Sequence, residues 1–169
     1  SSEPVLRIEA GMHSAPIERI AVDAAGRYAV TAGPDKTARV WDVASGRLLQ
    51  VLRPPIGAGD EGKLHAVAVT PDGSVVAVGG STGASWNGRS QVYLFDRASG
   101  RMLRRLPGGM GSVLHLSFSA DARWLAATHF AGGGLRVWDW QQGDAAQADG
   151  DYQGPSWYTA FSRDGRLAT

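Results

Sequence analysis

The segment GAGDEGK, residues 57–63, holds the residue types that phosphate-binding loops use, and it fits two of their patterns. Its glycines fit G-x-G-x-x-G, and together with Lys63 they also fit G-x-x-x-x-G-K. Both patterns bind phosphate where the loop leads into a helix, and the second needs a hydroxyl after the lysine to hold a metal ion. Here Leu64 follows the lysine, residues 65–69 alternate like a strand, and two acidic residues would repel phosphate. We therefore interpret the segment as a glycine-rich connection and predict no cofactor.

Histidines are the other residues that could do chemistry. His65, His115 and His129 lie in separate runs, and no H-x-x-x-H or H-E-x-x-H pair fixes two of them on one element. No nucleophile elbow or other local signature supports a Ser/His/Asp triad. The chain has no cysteine, which excludes disulfides, thiolate metal sites and cysteine nucleophiles. We predict no catalytic residue, no metal site and no enzyme activity.

Charge bears on the class of partner. The formal net charge of +1 argues against a dedicated polyanion binder, so no nucleic acid is predicted as a partner. Arginines nevertheless cluster around a single acid, Asp96, in the second third of the chain: Arg89, Arg97, Arg101, Arg104 and Arg105. Two interpretations stay open, namely solvated outer strands and loops, or a basic patch for an acidic partner.

These residues must be positioned by short β-type runs that repeat along the chain. One turn recurs at intervals of 43 to 49 residues, as Ala25-Gly26, Asp72-Gly73, Asp121-Ala122 and Asp164-Gly165. The first three repeats end on an aromatic residue followed by Asp, as Trp41-Asp42, Phe95-Asp96 and Trp138-Asp139. Four strands in a period of about 40–45 residues are typical of a propeller blade.

On these residues the chain resembles the WD40-repeat family of β-propellers, and residues 13–42 are the best copy of the repeat. The resemblance implies an all-β fold, a WD40-like β-propeller with about three four-stranded blades plus the start of a fourth. The ring is incomplete in this chain. The runs HSAPIERIAVDAAGRYAV, GKLHAVAVTPDGSVVAVGG and YLFDRASGR more narrowly resemble bacterial WD40 proteins, some of which are joined to a caspase-like peptidase domain.

The resemblance also divides the chain, so that residues 1–169 form a partial propeller. The expected parts are an outer closing strand at 4–10, blade 1 at 11–53, blade 2 at 54–106, blade 3 at 107–153 and the start of blade 4 at 154–169. The missing C-terminal blades would belong to the same polypeptide. We expect that residues 1–169 alone would associate through unpaired strand edges and apolar blade faces.

In WD40 proteins a hydrogen-bonded tetrad joins the loops and strands of a blade. By motif position, the resemblance assigns this structural tetrad to His13, Thr31, Asp35 and Trp41. The later repeats depart from the pattern, because Val78 and Ala127 stand where a hydroxyl is expected and Phe95 has no donor. We expect apolar packing to hold those blades together.

Two connections distinguish this chain from the WD40 repeat pattern that residues 13–42 follow. These are residues 54–63 and an insertion, STGASWNGR, at residues 81–89, which should be neighbours on the face that partners of propellers commonly use. The candidate partner-binding residues are Asp60, Glu61, Lys63, Trp86, Asn87 and Arg89. Trp86 has two open interpretations, local packing on the blade below or an exposed binding anchor.

The predicted function is a non-catalytic protein–protein interaction scaffold with protein partners of unknown identity. The alternative is a sensing or regulatory propeller domain of a larger enzyme such as a caspase-like peptidase. A propeller that binds or hydrolyses a small ligand in its central channel also stays open. No apolar run approaches the length of a membrane span, so we expect a soluble segment with no membrane partner, either cytoplasmic or exported after removal of a signal peptide.

Overall fold

The computed structural model describes residues 11–83, 88–130, 133–143, 145–149 and 154–169. Across these residues every regular element is a β-strand. The strands are short because turn residues interrupt each apolar run. In chain order they are β1 (Arg19–Val22), β2 (Tyr28–Ala32), β3 (Ala38–Asp42), β4 (Leu48–Leu52), β5 (Lys63–Val69), β6 (Val75–Ser81), β7 (Arg89–Asp96), β8 (Met102–Met110), β9 (Val113–Phe118), β10 (Trp124–His129), β11 (Leu135–Asp139), β12 (Ala145–Asp149), β13 (Ala160–Phe161) and β14 (Leu167–Ala168).

The strands form three four-stranded antiparallel sheets and one hairpin. Strand order follows chain order in sheet 1 (β1 to β4), sheet 2 (β5 to β8) and sheet 3 (β9 to β12), and β13 pairs with β14. Each sheet is a meander, as expected of a propeller blade. The predicted all-β fold class is confirmed, and the described strands close no ring.

The recurring turn has a backbone cause. In the hairpins β5–β6 and β9–β10, the N–H of the last turn residue donates to the carbonyl three residues earlier, from Gly73 to Thr70 at 2.8 Å and from Ala122 to Ser119 at 2.9 Å. That last residue is left-handed, with φ of 75° at Gly73 and 59° at Ala122, which favours glycine. The Asp121 carboxylate accepts the Ser119 hydroxyl at 2.5 Å and so fixes the turn from within.

The hydrophobic cores lie between successive sheets. Along β6, Val76 and Val78 belong to the core shared with sheet 1, whereas Val75 and Ala77 belong to the core shared with sheet 3. Because both faces of sheet 2 are covered, β6 is buried at every position and its sequence is continuously apolar or small. Sheet 2 therefore holds the described part of the chain together.

The predicted blade boundaries stay a prediction, and the proposed closing strand at residues 4–10 lies outside the described residues. One strand runs past a predicted boundary, because β8 continues beyond residue 106 through Pro107 to Met110. Pro107 pairs with Gln91, and proline is tolerated there because β8 is the outermost strand of its sheet. The strand thus extends to the point where the chain crosses into sheet 3.

Candidate functional site

The connections between successive sheets and the β2–β3, β6–β7 and β10–β11 connections emerge at one end of the sheets, which we call the loop face. Backbone hydrogen bonds tie these connections together, from Leu64 N to Gly33 O at 3.2 Å and from Gly62 N to Ser81 O at 2.6 Å. Phe130 N donates in the same way to Ser112 O at 2.9 Å. The loop face is therefore continuous across all three sheets.

The four predicted tetrad residues lie in one hydrogen-bonded chain on this face. Trp41 Nε1–H donates to Thr31 Oγ1 at 2.8 Å, and Thr31 Oγ1 contacts His13 Nε2 at 2.8 Å. The other imidazole nitrogen, Nδ1, lies 2.8 Å from Asp35 Oδ2. A carboxylate must accept, so Nδ1 carries the proton, Nε2 accepts from the threonine hydroxyl and the threonine oxygen accepts from the indole. Every polar atom along this path then has a partner.

The electrostatics of the carboxylate fit this arrangement. Burial opposes ionisation of Asp35, but hydrogen bonds from the Thr37 hydroxyl, the His13 imidazole and the Ser14 amide outweigh it and lower the pKa of Asp35. The side chains of His13 and Asp35 are both only 4% exposed. The tetrad therefore holds a buried charge that satisfies loop donors, and it offers no open position to a ligand. Its contribution to stability stays a prediction.

Sheets 2 and 3 differ at the corresponding positions. Val78 and Phe95 both lie in the apolar core shared with sheet 1. In sheet 3, Trp138 is fully buried and its indole N–H has no partner in the described part of the chain, whereas Ala127 lies beside it in the same core. An unpaired buried donor carries a desolvation cost that packing must offset.

The glycine-rich connection at residues 54–63 folds onto itself. The Gly57 N–H donates to the Glu61 carbonyl at 3.2 Å, and Lys36 Nζ donates to the Gly57 carbonyl at 2.9 Å. Lys63 pairs with Asp60 at 2.7 Å, and this hydrogen bond and charge lower the pKa of Asp60. The connection thus presents a fixed, mixed-charge surface.

The insertion adjoins this connection where its residues are described. Ser81, at its start, pairs with Lys63 across the β5–β6 ladder, and the exposed Arg89 begins β7. The predicted candidates Trp86 and Asn87 lie outside the described residues. The candidate partner-binding residues therefore remain a proposal, with the described ones on one continuous face.

A second polar row, which sequence reasoning missed, joins the three sheets. Glu18 Oε2 lies 2.6 Å from His65 Nδ1, His65 Nε2 lies 3.3 Å from Ser81 Oγ, and Ser81 Oγ lies 2.9 Å from Ser112 Oγ. The order matches an acid–base–nucleophile triad, but the Ser81 hydroxyl also contacts Ser112 and the residue is only 7% exposed. The row is better suited to tying sheets together than to attacking a substrate. The one available signal was that Glu18 and His65 each lie three residues before the matching Ala21 and Ala68.

Two exposed apolar side chains on the loop face were also missed. Met110 and Phe130 are each 49% exposed, at the ends of connections next to Arg89 and Ser112. In the sequence Phe130 ends a mostly apolar run and Met110 follows Pro107-Gly108-Gly109, so neither residue stood out as a contact residue. Partly exposed Met and aromatic side chains are enriched in binding surfaces.

The remaining two histidines, His115 and His129, are half-buried and buried, respectively. Burial lowers the pKa of His115, and the nearby Arg19 guanidinium lowers it further. Burial also lowers the pKa of His129 to about 4, and its Nε2 accepts the Gly109 N–H at 3.0 Å. No group of three potential metal ligands occurs among the described residues. The same residues contain no helix that is long and apolar enough to cross a membrane.

Comparison with known proteins points to one repeat family. The family described as WD domain, G-beta repeat matches residues 6–42 and 100–139. The small ribosomal subunit protein RACK1 of Caenorhabditis elegans is 34% identical over 110 residues, which are 65% of this chain and 29% of the relative. RACK1y of Oryza sativa subsp. japonica is 35% identical over 107 residues, 62% of this chain and 27% of the relative.

The chain therefore spans less than a third of the length of these curated relatives. Both relatives are eukaryotic, so neither a bacterial origin nor fusion to a caspase-like domain is confirmed. The matched residues span β1 to β3 of the first sheet and β8 to β11 across the next two. Residues 6–42 and 100–139 thus resemble WD40 repeats, and the described strands form four-stranded antiparallel sheets of the kind that build the blades of a β-propeller.

Proposed function

We propose that the protein is a non-catalytic scaffold that binds protein partners through its loop face. The observation that carries the proposal is the contrast between buried and exposed groups on this face. The polar groups of the tetrad and of the row from Glu18 to Ser112 are occupied by contacts within the protein. The exposed groups are charged or apolar side chains, among them Asp60, Arg89, Met110 and Phe130. A rigid face of this composition suits protein recognition better than bond-making chemistry.

The relatives support the same class of function. Their names describe components of the small ribosomal subunit, which is a macromolecular assembly. For this chain we propose only the class of partner, a protein, and no direct contact with nucleic acid or membrane. The alternative of a regulatory domain of a caspase-like peptidase is not favoured, because neither relative is named as a peptidase.

Single substitutions that leave the fold intact test the proposal. Met110→Glu and Phe130→Glu place a charge at two positions of the loop face that are each 49% exposed. Val43→Glu is the matched control, because Val43 is also 49% exposed and lies in the β3–β4 turn at the opposite end of sheet 1. Proteins that co-purify with the wild type should be quantified for all three variants, whose thermal melts should match that of the wild type.

We expect both loop-face variants to lose the same set of co-purifying proteins by at least fivefold, while Val43→Glu retains them. If all three variants retain them, or Val43→Glu loses them equally, the loop face is not the binding surface. Turnover of generic ester or peptide substrates that disappears in Ser81→Ala would contradict the non-catalytic part of the proposal.

A further inference from the structure

The outer strand of sheet 2 differs from its counterparts in length and exposure. β8 spans nine residues, whereas β4 and β12 span five each. Its edge away from β7 pairs with no strand in the described part of the chain. The first four residues of the strand, Met102 to Arg105, are all exposed. This exposed part of the edge presents backbone N–H and C=O groups that an extended peptide can use, whereas Gly109 near the end of the strand is buried and its N–H already donates to His129.

The charge of this edge is also distinctive. Arg101 precedes the strand, and Arg104 and Arg105 lie within it, all three exposed. None of the three forms an ion pair with a carboxylate of the described residues, and Arg104 only donates to the Gln142 carbonyl at 3.2 Å. β4 contains no charged residue, and β12 contains only an acid. Among the described outer strands, β8 is the cationic one.

The structure separates these arginines from their neighbour Arg97. Its guanidinium lies 3.9 Å from the centre of the Tyr28 ring, and its Nε donates to the Gly73 carbonyl at 2.9 Å. Arg97 therefore joins sheets 1 and 2. The nearby Asp96 accepts the Ser99 amide at 2.7 Å and the Ser99 hydroxyl at 2.5 Å, so it closes a turn. These hydrogen bonds chiefly lower the pKa of Asp96, and the charges of Arg101 and Arg97 lower it further. Of the arginines that form the basic patch in the sequence, Arg104 and Arg105 thus lie in the exposed part of β8, whereas Arg97 does not.

Apolar groups lie between these charges. Met102 is 38% and Leu103 is 39% exposed, and the register of β8 against β7 shifts beside Leu103. The arginines discourage pairing between identical edges, because like charges would meet. They do not repel a partner of opposite charge, whose acidic side chains would lie across from them. The bulge and Pro107 interrupt the ladder against any added strand and so limit the length over which it can pair with β8. The edge therefore discriminates by charge.

We infer that β8 accepts an extended acidic segment of a protein partner as a fifth strand of sheet 2. This inference deepens the proposed scaffold function and rests on it, since it adds a second binding surface with a defined partner chemistry. The ligand would alternate Glu or Asp with an apolar residue. Arg104 and Arg105 lie on opposite faces of sheet 2, because they pair with Leu94 and Tyr93, which belong to different cores. The carboxylates of the ligand would therefore contact one of the two arginines, and its apolar side chains would lie on the other face.

Fluorescence anisotropy with a labelled eight-residue peptide of alternating Glu and Val tests the inference on the whole protein. The test variant is Arg104→Glu with Arg105→Glu, and the matched control is Arg47→Glu with Arg163→Glu, which changes two exposed arginines elsewhere by the same charge. We expect saturable binding that weakens at least tenfold in the test variant, stays within twofold in the control and falls as salt rises. A peptide of alternating Lys and Val should not bind.

Strand addition is tested with two N-methylated peptides, each methylated at alternate amides but offset by one residue. One peptide should bind at least tenfold more weakly than the other, because only one edge of the added strand pairs with β8. Equal binding of the two peptides, equal loss in both arginine variants, or competition by an unstructured RNA at the same concentration would overturn the inference. Phe130→Glu, which changes the loop face outside β8, should bind the peptide normally. Failure of peptide binding with intact loop-face binding would therefore refute this inference alone, whereas the reverse result would refute only the loop-face proposal.

Discussion

Acidification should destabilise the protein through His129, a fully buried side chain at the end of β10. Its Nε2 accepts the Gly109 N–H at 3.0 Å, so the neutral imidazole carries its proton on Nδ1, which lies 3.2 Å from the Gly134 carbonyl oxygen. A second proton would place an N–H on Nε2, directly against the Gly109 N–H. Burial and this donor–donor conflict both disfavour the charged imidazole in the folded state.

The size and sign of this loss of stability follow from the pKa of His129 in the folded and in the unfolded chain. Burial lowers the pKa of His129 from 6.5 to about 4 in the folded protein. Between these values the unfolded chain binds a proton that the folded protein does not, so the free energy of unfolding falls as pH falls. The full difference corresponds to about 3 kcal/mol, of which about 2 kcal/mol is already lost at pH 5. Above pH 6.5 this contribution to stability is fully present.

Urea unfolding at pH 7.5 and pH 5.0, for the wild type and for His129→Gln, measures the effect. Glutamine cannot titrate, so the wild type should lose about 2 kcal/mol more than the variant between the two pH values. Other histidines, including His115, contribute equally to both proteins and cancel. Asp72 and Asp121, whose pKa values are lowered by hydrogen bonds from Thr70 and Ser119 respectively, lose their contribution only below 3.8, outside this window.

Equal losses of unfolding free energy in the two proteins between pH 7.5 and 5.0 would show that His129 does not titrate with unfolding. A second measurement keeps the test decisive if His129→Gln does not fold. In the native wild type, the imidazole resonance of His129 should not titrate between pH 7.5 and 5.0, and a midpoint near 6.5 would contradict the buried, neutral state.

Two further predictions concern the tetrad and its missing copies. His13→Ala should lower the free energy of unfolding by roughly 1–3 kcal/mol, because Asp35 loses a buried hydrogen bond, and no change in chemical denaturation would mean that the polar chain does not form. Ala127→Ser should raise the free energy of unfolding by about 1 kcal/mol by giving the unpaired indole of Trp138 an acceptor. The control Val78→Thr places a hydroxyl at the matching position of sheet 2, where no indole donor exists, and should cost about 1–3 kcal/mol. Equal effects of these two substitutions would contradict the explanation.

The repeat made much of the fold predictable. The recurring turns and the Trp-Asp or Phe-Asp strand ends mark each meander, because each sheet needs one left-handed turn residue and one packed aromatic side chain. The sequence also revealed that Val78 and Ala127 remove the hydroxyl acceptor, and both residues are fully buried in apolar cores. Each of these features depends on residues that are close together in the chain, so it can be predicted from the sequence.

The groups that the sequence did not reveal depend on contacts between repeats. Glu18 and His65 are 47 residues apart, and only the packing of β1 against β5 brings them within 2.6 Å. The two uses of the arginines were equally hidden, because Arg97 stacks on Tyr28 from another sheet while Arg104 remains exposed. Periodicity places each residue in its own sheet, but it does not state which residues of neighbouring sheets meet.

The position of each sheet explains why only the first carries the polar tetrad. Sheet 2 is packed on both faces, so its matching positions are filled by apolar groups that need no polar partners. On the tetrad face of sheet 1, Ile20 pairs directly with Thr31 and is 64% exposed, and no described sheet covers it. Packing between sheets therefore cannot hold the connection before β1, and hydrogen bonds from His13 and Ser14 to Asp35 hold it instead. Loss of the Asp35 carboxylate should consequently loosen this connection before it affects the cores.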